Sequence, residues 1–185
     1  WRASDQISLR ATYGGMRQQR IQSDDGVGTD FYTGSRRFGD VALTWTASDA
    51  LTLVAGVSGE RERVNIAEGF GFPPPVSFVS KTEDHEGAFV TAQSTMSFVT
   101  LTGAVRVDDY EAFGTHSTWR LGASFDIADI ARVFAAYGTA FRAPTLYERF
   151  VSFGDPNLDP ERSKSWEVGA DAYFGAFGQE RGVEL

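Results

Sequence analysis

Apolar and polar residues alternate with a period of two along most of this chain. In residues 98–108, for example, Val99 and Leu101 share one face of an extended chain, and Thr100 and Arg106 share the other. Successive side chains of a strand point to opposite faces, so the pattern predicts strands with one apolar and one polar face. The apolar positions of four such segments are Leu51, Leu53, Ala55, Val57, Val99, Leu101, Val105, Val107, Trp119, Leu121, Ala123, Phe125, Trp166, Val168, Ala170, Ala172 and Phe174.

The alternation predicts an all-β protein with nine antiparallel strands. Their approximate bounds are 5–22, 29–46, 50–67, 85–95, 98–110, 118–126, 131–142, 164–174 and a short strand from 180. The segment 131–142 is less regular, and residues 128–136 also fit a short helix. Strands on both sides and short connections favour a strand there.

The predicted connections alternate in length. Short turns are expected at 47–49, 96–97, 127–130 and 175–179, and longer loops at 23–28, 68–84, 111–117 and 143–163. Short turns at one end and long loops at the other are typical of an outer-membrane β-barrel, whose apolar face meets lipid and whose polar face lines the lumen. A soluble β-sandwich with one buried and one wet face gives the same periodicity. The pattern alone therefore leaves both architectures open.

Composition narrows the function classes. The 185 residues carry a formal net charge of −8, which argues against a general nucleic-acid binder. The chain has no cysteine and two histidines, so disulfides, thiolate zinc sites and cysteine nucleophiles are excluded. No nucleophile elbow, phosphate loop or zinc signature occurs, and we therefore expect no enzyme activity, no cofactor and no metal site.

Two short motifs flank a ten-residue segment, 145–154. The first motif consists of Phe141, Arg142, Ala143 and Pro144. The second consists of Asp155, Pro156, Asn157 and Leu158, followed by Pro160 and Glu161. In this order and spacing the pair resembles the barrel signature of TonB-dependent outer-membrane receptors, and it looks most like their cobalamin and siderophore branch.

The resemblance implies a fold and a function for the protein to which residues 1–185 belong. It implies a 22-stranded barrel with an N-terminal plug, active uptake of a siderophore- or cobalamin-type metal chelate, and energy supplied by TonB at the outer membrane of a Gram-negative cell. We expect this chain to be part of the barrel domain without the plug. Its partners would be lipid, the chelate and, through the plug, TonB. The alternatives are a passive porin or small barrel, and a soluble β-rich binding module.

The segment between the motifs holds the candidate ligand-binding residues. Tyr147, Phe150 and Phe153 lie near Arg149, and aromatic rings with one cation suit a flat or anionic chelate. The alternative is that these rings pack against neighbouring loops. Haem receptors of the family carry a histidine between the motifs, and its absence here argues against haem.

Three other features of the sequence are expected to have no specific binding role. His85 and His116 are predicted to be solvated at loop edges. The acidic turn Asp24-Asp25-Gly26 is predicted to be a solvated turn, and calcium binding there is left open. The proline-rich stretch 69–75 is predicted to be a mobile external loop.

Overall fold

The computed structural model describes residues 4–69, 75–128, 130–176 and 179–183. Across these residues, nine strands form one antiparallel sheet in which each strand pairs with its neighbour in sequence. None of the described helices is long and apolar enough to cross a membrane. The elements are β1 (Ile7–Asp24), β2 (Val27–Ser48), β3 (Leu51–Glu68), β4 (Ser77–Met96), β5 (Val99–Tyr110), β6 (Gly114–Ile127), β7 (Ala131–Arg142), α1 (Leu146–Phe150), β8 (Glu161–Ala176) and β9 (Gln179–Val183).

The predicted all-β architecture is confirmed, including the strand at 131–142. Residues of directly paired strands share a face, and the register places Leu101, Leu121 and Val105 on one side of the sheet with Val168. This apolar face is open: Leu121 is 59% and Val168 70% exposed. No described element covers it, so the sheet is a single layer and not half of a sandwich. The side chain of Phe174 lies outside the described residues.

The opposite, polar face carries charged side chains that pair across strands. Arg120 of β6 contacts Glu167 of β8, and Arg132 donates to Asp126 at 2.6 Å. Both pairs are largely exposed, so they contribute little stability in water. Exposed charged pairs of this kind indicate that the polar face contacts water.

β2 and β4 are longer than the alternation predicts, and all of the first four strands are longer than a bilayer requires. They have 18, 22, 18 and 20 residues, whereas a tilted strand needs about 9–11 residues to cross a bilayer. The expected loops at 23–28 and 111–117 are wrong as a result: β1 and β2 meet in a two-residue turn, Asp25-Gly26, with φ of 46° and 77°. The early part of β4, residues 81–84, is polar on both faces, which hides its period of two from the sequence.

The connection from β7 to β8 remains long, at residues 143–160. The connection from β3 to β4 shortens to 69–76, and residues 70–74 lie outside the described residues, so the mobile loop predicted there stays a prediction.

One seam in the sheet is incomplete. Pairing between β6 and β7 runs from Ile127 to Arg120, although both strands continue toward the loop end. Beyond Arg120, the backbone N–H of Trp119 donates to Oγ1 of Thr139 at 3.1 Å instead of to a backbone carbonyl. The two strands therefore separate at this end of the sheet and leave an opening between them.

Candidate functional site

The β7–β8 loop, residues 143–160, is tied together at its base by Arg142. This guanidinium donates to Glu148 at 2.6 Å and to Glu161 at 2.8 Å, so it joins the helix of the loop to the start of β8. Pro144 is buried and ends the strand because it has no N–H to donate. The first motif therefore closes the loop.

A capping box starts the short helix α1. Oγ1 of Thr145 accepts from the Glu148 N–H at 3.2 Å, and Glu148 accepts from the Thr145 N–H at 2.8 Å. These two bonds satisfy backbone donors that have no partner within the helix. The Thr145 N–H and then Arg142 hold the pKa of Glu148 below its ordinary value of 4.5.

The loop folds over the polar face of the sheet and packs far from its own strands. Leu146 is 1% exposed and packs with Val64 and Ile66 of β3, and Phe150 joins this cluster. At the usual spacing of about 4.8 Å, β7 and β3 are four strand positions, or about 19 Å, apart along the sheet. The loop thus spans several strands instead of projecting away from them.

Two polar anchors fix the tip of the loop. Arg149 forms an ion pair with Glu83 of β4, and its guanidinium lies 4.9 Å from the ring of Phe113. Ser152 donates through its N–H at 3.1 Å and its hydroxyl at 3.0 Å to Glu68, a buried carboxylate at the end of β3. Both anchors join residues more than sixty positions apart in sequence.

The four candidate ligand residues have different surroundings. Arg149 is 9% exposed, and its Nε is buried without a hydrogen-bond partner among the described residues. Phe150 packs on the Leu146 cluster, under Lys81. Tyr147 is 42% and Phe153 is 94% exposed. Ligand contact by these four residues stays a prediction, and Tyr147 and Phe153 are the two with ring surface open to solvent.

The second motif shapes the return of the chain. The Asn157 N–H donates to the Asp155 carboxylate at 2.9 Å, and the Leu158 N–H donates to the Asp155 carbonyl at 3.1 Å. The Asp155 N–H in turn donates to the carbonyl of Glu148 at 3.2 Å. This is turn chemistry of the kind that Asp and Asn side chains provide.

The prediction that both histidines are solvated is wrong. His85 stacks on Tyr110 with ring centroids 4.1 Å apart, and its Nε2 lies 2.8 Å from buried Asp108. His116 stacks on Phe141 at 3.9 Å. Tyr110 and Phe141 are 5.3 Å apart, so the four rings form a continuous row over four strands. The sequence does not show this row because cross-strand register brings the rings together.

The aromatic row borders the opening between β6 and β7. The opening has a volume of about 670 Å³, which is the size of a small-molecule site. His116 and Phe141 line it, together with Trp119. Arg162 and Lys164 of β8 supply positive charge at its edge. A planar or anionic ligand suits this combination of stacked rings and cations.

Residues 1–182 match the family described as TonB dependent receptor-like, beta-barrel. The chain belongs to the TonB-dependent receptors. It is 42% identical, over 132 residues, to the vitamin B12 transporter BtuB of Vibrio vulnificus strain YJ016. That alignment covers 70% of this chain and 21% of the transporter, so the chain spans about a fifth of this relative's length.

Solved receptors share the fold at low sequence identity. The FrpB iron transporter from Neisseria meningitidis has a TM-score of 0.74 at 16% identity, covering 92% of this chain and 32% of that one. A ferric enterobactin receptor mutant from Pseudomonas aeruginosa has a TM-score of 0.70 at 18% identity, covering 91% and 30%. The copper transporter OprC has a TM-score of 0.65 at 17% identity, covering 92% and 34%. These identities show the barrel fold and do not indicate the ligand of this TonB-dependent receptor.

Proposed function

We propose that the full-length receptor imports a cobalamin-type metal chelate across the outer membrane, with energy from TonB. The observation that carries the proposal is the 42% identity to a vitamin B12 transporter, against 16–18% for the iron, siderophore and copper receptors of the same fold. The alignment at this higher identity takes in 132 residues, or 70% of this chain.

The structure supports a division of roles within this chain. The apolar face meets lipid, and the polar face lines a wet lumen, as transmembrane barrels require. The β7–β8 loop lies over that lumen, where an incoming ligand passes. Contact with TonB belongs to parts of the receptor outside this chain.

Ligand contact falls to the exposed rings on the loop and at the rim. Tyr147 and Phe153 present open ring surface, and the row that ends in His116 and Phe141 borders the opening beside Arg162. The corrin ring of a cobalamin is broad and flat and carries amide side chains around its edge, one of which leads to a single phosphodiester. Stacked aromatic rings with nearby cations match both parts of such a ligand.

Uptake of radiolabelled cyanocobalamin tests the proposal. The full-length receptor is expressed in a Gram-negative strain that lacks its own vitamin B12 transporter, and uptake is compared with and without TonB. We expect TonB-dependent accumulation that excess unlabelled cyanocobalamin suppresses and ferric enterobactin does not. No TonB-dependent accumulation of cyanocobalamin would overturn the proposal, and uptake without TonB would favour a passive pore.

A double variant locates the ligand contacts. Tyr147→Ala with Phe153→Ala removes the two exposed rings of the loop, and we expect weaker cyanocobalamin binding with normal insertion into the membrane. Trp166→Ala is the matched control, because this ring is 75% exposed on the lipid side. Equal binding by the double variant and the wild type would remove Tyr147 and Phe153 from the site.

A further inference from the structure

Four arginines form a grid on the apolar side of the sheet. Arg37 of β2 pairs directly with Arg61 of β3, and Ser35 lies between Arg17 of β1 and Arg63 of β3. All four side chains are exposed, and they line a depression of about 820 Å³. Like charges directly opposite each other on paired strands are destabilising unless an anion neutralises them.

The grid is only partly neutralised by the protein. Arg61 donates through Nε and Nη2 to Asp84, at 2.6 Å each, and Arg63 reaches only the hydroxyl of Ser80, at 3.4 Å. Within the described residues, Arg17 and Arg37 have neither an ion pair nor a side-chain hydrogen bond. The carboxylates of Asp84, Glu86 and Glu111 lie on the Arg61 side of the grid, so the four arginines still outnumber them, although the whole chain has a net charge of −8.

The height of the grid coincides with the edge of the membrane. Ten residues separate Leu51, near the short turn at the base of β3, from Arg61. At about 3.4 Å per residue and a tilt of about 40°, this segment rises about 26 Å, and the apolar band of such barrels is about 25 Å tall. The arginines therefore lie where the headgroups of the loop-side leaflet begin.

A shallow apolar depression of about 310 Å³ lies directly beneath the grid. Gly39 and Gly59 pair with each other two residues below Arg37 and Arg61, about 7 Å along the strands. A Cβ on Gly59 would touch nothing within 4 Å, and a Cβ on Gly39 would meet the ring of Tyr13 at 3.7 Å. The two glycines thus floor a groove bordered by an exposed tyrosine.

We propose that the arginine grid and the groove below it bind a phosphorylated lipid of the outer leaflet. The guanidiniums of Arg17, Arg37 and Arg63 take the phosphates, and the groove over Gly39 and Gly59 takes the start of an acyl chain. A soluble phosphate would use the grid alone, whereas adjoining cationic and apolar surfaces fit an amphiphile. The proposal rests on the membrane placement given above and does not depend on which chelate is transported.

Native mass spectrometry of the full-length receptor in neutral detergent, titrated with lipid A, tests the site. Arg17→Gln with Arg37→Gln removes two cations from the grid, and we expect the apparent Kd for lipid A to rise about thirtyfold. Arg10→Gln with Arg20→Gln is the matched control. It removes the same charge from the polar face of β1, and we expect a change of less than about twofold.

Two further ligands separate a lipid from a simple anion. Dephosphorylated lipid A keeps the acyl chains, and we expect it to bind at least about tenfold more weakly. Inorganic pyrophosphate at the same concentration is expected not to displace lipid A. Equal weakening by the grid and control variants, full binding of the dephosphorylated lipid, or displacement by pyrophosphate would each overturn the proposal.

Two further measurements show whether a variant that no longer binds lipid A is still folded and still binds cyanocobalamin. Folded receptor is identified by its altered gel migration before and after boiling, and Arg37→Gln alone serves if the double variant does not insert. Cyanocobalamin binding is measured on the same samples. We expect the grid variant to retain it, so a failed uptake assignment and a failed lipid site give different results.

Discussion

Replacing Arg149 by Met tests whether the ion pair with Glu83 holds the β7–β8 loop over the lumen. The Arg149 side chain is 10% and the Glu83 side chain 24% exposed. Removing one partner of a buried pair costs about 3–5 kcal/mol. Because Glu83 keeps some access to water, we expect about 2–3 kcal/mol for this loop. Methionine keeps the unbranched apolar stem of the side chain, so the substitution removes the guanidinium with its ion pair and its contact with the Phe113 ring.

Hydrogen exchange of the solubilised full-length receptor measures this cost locally. A loss of 2–3 kcal/mol in the free energy of loop opening raises the population of the open loop about 30- to 150-fold. The exposed amides then exchange faster by the same factor. The reporting amides are those of Arg149 and Val151, which donate to Thr145 and Tyr147. Burial of Leu146 is unchanged and keeps the loop mostly docked.

Arg120→Met is the control for the loss of a single arginine. Arg120 pairs with Glu167, but both side chains are more than half exposed, so the pair is worth at most about 1 kcal/mol. We expect normal exchange in the loop of this variant. Unchanged exchange in Arg149→Met, or equally fast exchange in Arg120→Met, would refute the idea that the buried pair anchors the loop.

Three further predictions concern the same loop. Thr145→Ala removes the capping hydroxyl of α1, and hydrogen exchange should show the helix opening about fivefold more often, for a cost of about 1 kcal/mol. Glu148 has a lowered pKa, so its stabilising effect is complete above pH 4.5 and is lost as the pH falls through its folded-state value. A spin label at residue 153 should therefore gain mobility only in acid, and Glu148→Gln should abolish that pH step. Gly154→Ala should displace the loop, because its Cβ would lie 2.6 Å from the Glu148 carbonyl oxygen, whereas Gly59→Ala should leave exchange unchanged since its Cβ meets nothing within 4 Å.

The faces of the strands are predictable from sequence because the period of two is local. The alternation at 98–108 fixes which side of β5 is apolar without knowledge of any partner strand. Strand ends are less predictable, because residues 81–84 of β4 are polar on both faces. There the chain is extended by pairing with β3 and not by a hydrophobic pattern of its own.

The candidate site is predictable only in part. The motifs indicate where the β7–β8 loop begins and ends, since Pro144 and Asp155 act on their immediate neighbours. The direction of the loop depends on Glu68 and Glu83, which lie 84 and 66 residues away from their partners. No local pattern encodes such contacts, and the aromatic row over His85 depends on register in the same way.

The short run Glu60-Arg61-Glu62-Arg63 alternates acidic and basic residues. The register of β3 places the two acids on one face of the sheet and the two arginines on the other. In β3 its acids face the polar side, where Arg36 donates to Glu60 at 2.6 Å, and its arginines face the lipid side, where they form half of the grid. A shift of the strand pairing by one residue would exchange the two sets, so the arginines would face the lumen and the carboxylates would lie at the membrane edge. The paired register with β2 and β4 is therefore what gives this stretch a lipid-facing and a lumen-facing role.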